Sequence, residues 1–184
     1  IFKSVGNIDG ICFAQRYRSK DNETNKFINE AKIMIEPIAI CMNALIKYQS
    51  TEKIDKDSFT KVIVIGSSYS SRVGYDQGWE YHVSKAAQLS LVRYFSIRSK
   101  GNYSINLLSP ATFIKEGAND YWSKTETSQN WKKFPSQGLI NAKDIAKSII
   151  QLMDQNSPFI SGNEIYIDGG LFNLYPDQIP ELLD

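Results

Sequence analysis

Tyr81 and Lys85 lie four residues apart in a segment whose apolar residues follow a helical spacing. In a helix, two side chains at this spacing stack on one face, one turn apart. A phenol gives up its proton reluctantly at neutral pH, but a neighbouring ammonium stabilises the phenolate form. The pair therefore has the chemistry of a general acid/base, although on spacing alone a packed tyrosine beside a solvated lysine is the commoner explanation.

Ser67 and Ser68 offer a second kind of group, because they directly follow the apolar run Lys61–Ile65. This run is β-branched and continuous, which is typical of a strand buried on both faces in a parallel sheet. Ligands bind beyond the carboxyl ends of such strands, and the serines lie on the loop that leads to the helix of Tyr81. We expect Ser68 to hydrogen-bond a substrate carbonyl; the alternative is that both serines only cap a turn.

The elements that must position these groups alternate between strands and helices. The patterns predict strands over Ile8–Phe13, Lys61–Ile65, Ser104–Leu108 and Glu164–Ile167, and helices over Asn25–Tyr48, Glu80–Lys100 and Asn141–Met153. Pro37 predicts either a kink in the first helix or a helix start, with the part before it a separate turn. The alternation predicts an α/β fold with a doubly wound parallel sheet. Residues 111–140 form no predicted element, and we expect a substrate lid there.

Several segments resemble, in the right order, the motifs of the short-chain dehydrogenase/reductase family. They are Ile8–Ala14, Ser67–Ser68, Tyr81–Lys85, Ile105–Ala111, Asp144–Ala146 and Ser161–Gly170. Tyr81–Lys85 is similar to the family's Tyr-x-x-x-Lys motif, and Ser161–Gly170 to its last strand with an Asp-Gly-Gly end. The resemblance spans about residues 1–172 and implies a Rossmann-like domain.

This resemblance implies an oxidoreductase that moves a hydride between NAD or NADP and a carbonyl/alcohol substrate, with the choice between the two cofactors left open. Tyr81 would be the general acid/base, Lys85 would promote its ionisation and bind the nicotinamide ribose, and Ser68 would orient the carbonyl. Pro110 and Phe113 would form a wall of the nicotinamide pocket, and Ala14 would lie near the cofactor ribose.

The sequence also departs from the family pattern. Gln15 and Ala111 stand where the family has glycines, and the family's proton-relay asparagine falls near Ile33 or Met34. No glycine-rich phosphate turn precedes Ile8. The chain opens with Ile1, so we expect one domain over residues 1–184 that is N-terminally incomplete, the C-terminal two-thirds of the family's domain. The alternative to an active enzyme is a catalytically inactive binding or regulatory protein on the same scaffold.

Composition narrows the classes of partner. The chain has 184 residues with 21 lysines and arginines against 20 aspartates and glutamates, and a near-neutral charge argues against a nucleic-acid binder. No apolar run is long enough for a membrane span, and Cys12, Cys41 and His82 form no recognisable metal site. Two thiols do not make a disulfide scaffold, so we expect a cytoplasmic protein, and we expect no metal. The small-molecule carbonyl/alcohol substrate is what the family resemblance implies. The family resemblance further implies a homodimer or homotetramer, with the first two predicted helices at an interface.

Overall fold

A parallel sheet forms the centre of the computed structural model, which describes residues 4, 6–18, 20, 23–51, 59–75, 77–114, 140–154 and 159–173. The strands are β1 (Gly10–Phe13), β2 (Thr60–Ile65), β3 (Tyr103–Pro110), β4 (Phe113–Ile114), β5 (Ile140–Asn141) and β6 (Glu164–Ile167). Four of them pair in the order β1-β2-β3-β6, and all three pairings are parallel. The predicted α/β fold with a parallel sheet is confirmed.

The described residues form four α-helices: α1 (Lys26–Met34), α2 (Glu36–Thr51), α3 (Trp79–Ser96) and α4 (Ala142–Asp154). Side chains alternate between the two faces of a strand, so β2 packs Val62 and Val64 toward α2 and α3, and Ile63 toward α4. Burial on both faces explains why β2 contains a continuous apolar run, whereas the buried Asn106 of β3 is satisfied by hydrogen bonds to the backbone of Ile160 and Asn163. The helices therefore form one layer on each side of the sheet.

The predicted first helix is two helices, with Ile35 in a turn between them. Pro37 occupies the second position of α2, where its lack of an N–H costs least. The helix start at Pro37 is thus correct, but the part before it is the helix α1 and not a separate turn. The break frees backbone groups near Ile35, and one of them matters for the site below.

The other predicted elements differ from the structure mainly at their ends. Helix α3 ends at Ser96 rather than at Lys100, and the chain then turns through Lys100 and Gly101, which have φ angles of 48° and 84°. Asn141 caps α4 as predicted, since its Oδ1 accepts hydrogen bonds from the backbone N–H groups of Lys143 and Asp144 at 2.9 and 3.1 Å. Strand β3 is longer than predicted because it runs to Pro110.

The predicted lid, residues 111–140, lies mostly outside the described residues. Its two ends are described and form a short parallel pair, in which Phe113 lies opposite Ile140 and Ile114 opposite Asn141. Two-residue strands leave no periodic pattern, so the sequence did not predict this pair. None of the helices in the described part of the chain is long and apolar enough to cross a membrane.

Candidate active site

A cavity of about 260 Å³ opens at the carboxyl ends of β2 and β3. Ser68, Tyr81, Pro110 and Phe113 all line it, so the structure brings together four of the residues singled out in the sequence. Parallel strands end at a common edge, and the loops that follow them form the walls of a binding site there.

Gly66 and Ser67 shape the turn that presents Ser68. A Cβ on Gly66 would lie 2.7 Å from Leu107 Cγ and 2.9 Å from Ser109 Oγ, so only glycine lets β2 pass so close to β3. Ser67 caps a single 3-10 turn, Ser68–Ser70, because its Oγ accepts from the Tyr69 N–H at 3.2 Å. The capping alternative therefore applies to Ser67, whereas Ser68 is buried and lines the cavity.

Tyr81 is the third residue of α3, and its ring is half-buried among charged and aromatic neighbours. The Arg16 guanidinium carbon lies 5.0 Å from the ring centroid, and Lys85 Nζ lies 5.7 Å from it. Tyr69 meets the ring edge-on at 6.3 Å between centroids. Two cations thus lie beside one aromatic ring, at distances typical of cation–π contacts.

Lys85 is 3% exposed, and its ammonium is held by oxygen atoms on two sides. Nζ donates hydrogen bonds to the Ile65 carbonyl at 2.9 Å and to Gln88 Oε1 at 3.0 Å. The Ile65 carbonyl belongs to the last residue of β2, so the sheet edge itself fixes the lysine.

Burial lowers the pKa of Lys85 to about 7, with a further lowering from Arg16 and an opposing rise from Glu30. Burial also raises the pKa of Glu30, whose Oε2 has no hydrogen-bond partner within the described ranges. Lys85 therefore titrates near neutral pH, where small changes in its surroundings alter its charge.

His82 follows Tyr81 directly but faces a different part of the fold. Its Nε2 accepts from the Gly74 N–H at 3.0 Å, its Nδ1 lies 2.9 Å from the Gly78 carbonyl, and its ring stacks on Tyr69 at 4.9 Å. Both ring nitrogens are thus engaged with backbone groups. His82 orders the segment before α3 and has no place in the cavity lining.

Ala14 lies apart from the other predicted site residues. It directly follows β1 and is exposed, and it is not part of the cavity lining. Pro110 ends β3, and the next N–H, of Ala111, donates to the Ile167 carbonyl at 3.0 Å. Ala14 and Pro110, both expected to lie near the cofactor, therefore belong to strands on different sides of β2: Ala14 follows β1 and Pro110 ends β3.

Three residues that the sequence did not single out belong to this region: Arg16, Glu30 and Gln88. Gln88 follows Lys85 by three residues, and this helical spacing could have indicated their contact. Arg16 follows β1 by three residues at the sheet edge that binds ligands, a weaker signal. Glu30 lies in an otherwise amphipathic helix, and only the fold reveals that it is buried.

The cavity residues fit the nicotinamide end of a dinucleotide. Pro110 and Phe113 provide an apolar wall, and the hydroxyl groups of Ser68 and Tyr81 stand beside it. Lys85, another predicted cofactor contact, is 3% exposed and is not part of the cavity lining, and two of its three ammonium N–H groups are taken by Ile65 and Gln88. Within the described ranges, no three histidine, cysteine, aspartate or glutamate side chains gather as metal ligands.

Comparison with known proteins gives consistent matches. Residues 7–172 match the family model described as enoyl-(acyl carrier protein) reductase. The chain is 28% identical over 122 residues to the 3-oxoacyl-[acyl-carrier-protein] reductase FabG of Buchnera aphidicola subsp. Baizongia pistaciae, a match that covers 64% of this chain and 47% of that protein. The chain thus spans about half the length of the curated relatives that it matches.

Solved structures match over nearly the whole chain. A 3-oxoacyl-[acyl-carrier protein] reductase from Brucella melitensis superposes with a TM-score of 0.75 at 16% identity, over 95% of this chain and 70% of that one. ElxO with NADP bound gives a TM-score of 0.70 at 22% identity, over 94% of this chain and 71% of that one. At these identities, the structural matches support the fold alone.

Proposed function

Because this chain belongs to the short-chain dehydrogenase/reductase family of NAD(P)-dependent oxidoreductases, we propose that it catalyses reversible hydride transfer between NAD or NADP and a carbonyl/alcohol substrate. The observation on which this proposal rests is the cavity at the end of β2 and β3. Ser68 and Tyr81 line it together, and the buried ammonium of Lys85 lies next to the tyrosine ring.

In the direction of reduction, the nicotinamide supplies the hydride when it is bound. Ser68 donates a hydrogen bond to the carbonyl oxygen of the substrate and so orients it in the cavity. Tyr81 donates its phenolic proton to the same oxygen as negative charge develops there. The phenolate that results is stabilised by the ammonium of Lys85, and in return the phenolate favours the charged form of the lysine.

The substrate class comes from the relatives. The curated proteins that match are named 3-oxoacyl-[acyl-carrier-protein] reductases, so we propose 3-oxoacyl thioesters as the first carbonyl substrates to test. Pro110 and Phe113 give the cavity an apolar side that suits an acyl chain, and Arg16 gives it a positive charge at the rim.

The alternative is a protein of the same family that binds nicotinamide without turnover. Gln15 favours it, because this side chain stands where the family has a glycine, and its buried Nε2 has no hydrogen-bond partner in the part of the chain that the structure describes.

A titration and an assay separate the two functions. The full-length protein is titrated with NADH and NADPH, and then assayed with a panel of carbonyl compounds that includes a 3-oxoacyl thioester. We expect binding of one of the two cofactors and its oxidation with at least one carbonyl. Binding without turnover on the whole panel would support the inactive alternative, and absence of any binding would contradict both.

We propose a homo-oligomer for the whole protein and a cytoplasmic location. Exposed apolar side chains on α2 and α3, among them Ile40 and Tyr94, provide a surface for a second copy. Both cysteines are free thiols, which fits a reducing compartment.

A further inference from the structure

A buried glutamine connects Lys85 to the break between α1 and α2. Gln88 is 1% exposed, and both ends of its amide are used. Its Oε1 accepts from Lys85 Nζ at 3.0 Å, and its Nε2 donates to the Met34 carbonyl at 2.9 Å. A single side chain thus links the lysine of the candidate site to a helix end 54 residues away in the sequence.

The helix break explains why the Met34 carbonyl is available. In an uninterrupted helix it would accept from the N–H four residues later, which belongs to Ile38. Here the Ile38 N–H donates instead to the Ile35 carbonyl at 3.2 Å. A buried carbonyl without a donor is costly, and the Gln88 amide satisfies it.

The network also fixes the direction of the lysine. Two of the three ammonium N–H groups are taken, one by the Ile65 carbonyl at the end of β2 and one by Gln88. With two hydrogen bonds in place, the third N–H is no longer free to rotate away. The strand end and the helix break therefore act as two fixed points for one charged group.

We propose that Gln88 is a positioning residue, whose amide holds the Lys85 ammonium between the end of β2 and the α1–α2 break so that the remaining N–H serves the Tyr81 side of the site. This proposal rests on the proposed function and deepens it. The relay asparagine implied by the family resemblance falls near Ile33 or Met34 in this chain. In this chain the hydrogen bond to the helix break comes instead from α3. Its donor is Gln88, three residues after Lys85.

The charged and titratable groups around Lys85 set the expected response. Arg16 lowers its pKa and Glu30 raises it, and the Tyr81 ring lies beside it. Gln88 contributes an uncharged acceptor that stabilises the ammonium. Loss of this acceptor lowers the pKa of Lys85, whereas a replacement that keeps an oxygen at the same point does not.

The test compares Gln88→Leu with the isosteric Gln88→Glu. The first readout is independent of activity: the titration of Lys85 followed by NMR on protein labelled at the lysine side chains, with Lys85→Met used for assignment. We expect the Lys85 titration midpoint to fall by about one pH unit in Gln88→Leu. In Gln88→Glu it should stay at, or rise above, its value in the parent protein.

The second readout is the pH profile of turnover. In Gln88→Leu we expect kcat to fall roughly tenfold, with the loss of activity at high pH beginning at lower pH. Gln88→Glu should retain the parent profile or extend it to higher pH. Gln49→Leu is the matched control, because it removes a glutamine that donates to the Asn102 carbonyl at 3.3 Å, far from Lys85.

Three results would overturn the proposal: an unchanged Lys85 titration in Gln88→Leu, equal downward shifts in Gln88→Leu and Gln88→Glu, or an equal shift in Gln49→Leu. If Gln88→Leu does not fold, the direction of the shift in Gln88→Glu decides alone, and a lowered midpoint contradicts the proposal. Because NMR needs no turnover, a failure of the proposed oxidoreductase function is seen separately, as absence of activity with an intact Lys85 response.

Discussion

At the scale of single residues, the site depends on a buried lysine whose charge responds to the groups around it. Burial alone disfavours the ammonium, and this is the largest cause of the lowered pKa of Lys85. The oxygen atoms of Ile65 and Gln88 compensate in part, and a phenolate on Tyr81 would compensate further. The lysine is thus most strongly charged when Tyr81 has lost its proton.

Arg16 gives a first prediction at this scale. Its charge lowers the pKa of Lys85, so Arg16→Gln should raise the Lys85 titration midpoint. The same NMR titration measures it, with Arg93→Gln on the exposed face of α3 as the control. A lower Lys85 titration midpoint in Arg16→Gln would contradict this prediction. It would mean that Arg16 stabilises the charged form of Lys85 by something other than its own charge.

The pH dependence of stability gives a second prediction. The pKa of Lys85 is 10.5 in its ordinary state and about 7 in the fold, so between these values the unfolded state binds more protons. The free energy of unfolding should therefore rise with pH above about 7, by at most about 1.4 kcal/mol per pH unit from this residue.

Urea unfolding of the protein and of Lys85→Met, from about pH 7 to about pH 8, measures this contribution, because the range lies below the ordinary cysteine and tyrosine pKa values. The difference in stability between the two proteins should change with pH in favour of the parent. If the free energies of unfolding of the two proteins changed with pH in parallel, Lys85 would titrate outside this pH range.

At the scale of elements, the ends of β2 and β3 determine the geometry of the cavity. Gly66 lies against Leu107 and Ser109, and the chain can turn toward Ser68 only because no side chain intervenes. Gly66→Ala should reduce the free energy of unfolding by about 1–3 kcal/mol through overpacking.

Gly10→Ala is the matched control in the same sheet. Its added Cβ would meet the thioether end of Met153 at 3.2 Å, and this flexible side chain can move aside. Urea unfolding of both variants should give a clearly larger loss for Gly66→Ala. Equal losses would mean that the close approach of β2 and β3 imposes no special requirement.

The sequence predicted these elements where a pattern was long enough to read. The apolar run before Gly66 gave β2, and the four-residue spacing placed Tyr81 and Lys85 on one helix. Pro37 left two interpretations open, and only tertiary structure decided between them. The contact between Gln88 and Met34 could not be predicted, because it joins two helices that are distant in sequence and depends on where one of them breaks.

At the scale of the whole molecule, the described chain supplies the sheet edge and the candidate catalytic groups but spans about half of its curated relatives. Helices α2 and α3 leave apolar side chains exposed on the layer opposite α4. Self-association would bury this surface, and this is the physical reason to expect an oligomer.

Sedimentation of the full-length protein at micromolar concentration tests this expectation. We expect a dimer or tetramer, and a shift toward smaller species in Ile40→Glu, since Ile40 on α2 is 62% exposed. Ile150→Glu, at a 66% exposed isoleucine of α4, is the control and should sediment like the parent. A monomeric parent protein, or equal effects of the two substitutions, would contradict an interface on α2.

The central claim is that Tyr81 exchanges a proton with the substrate oxygen, and kcat/KM of Tyr81→Phe in the full-length protein tests it most directly. The control variant is Tyr94→Phe, which removes a phenolic hydroxyl from the exposed face of the same helix. The account predicts a loss of at least about a hundredfold in Tyr81→Phe with unchanged folding, and parent-like turnover in Tyr94→Phe. Turnover in Tyr81→Phe equal to that of the parent would remove Tyr81 from the chemistry.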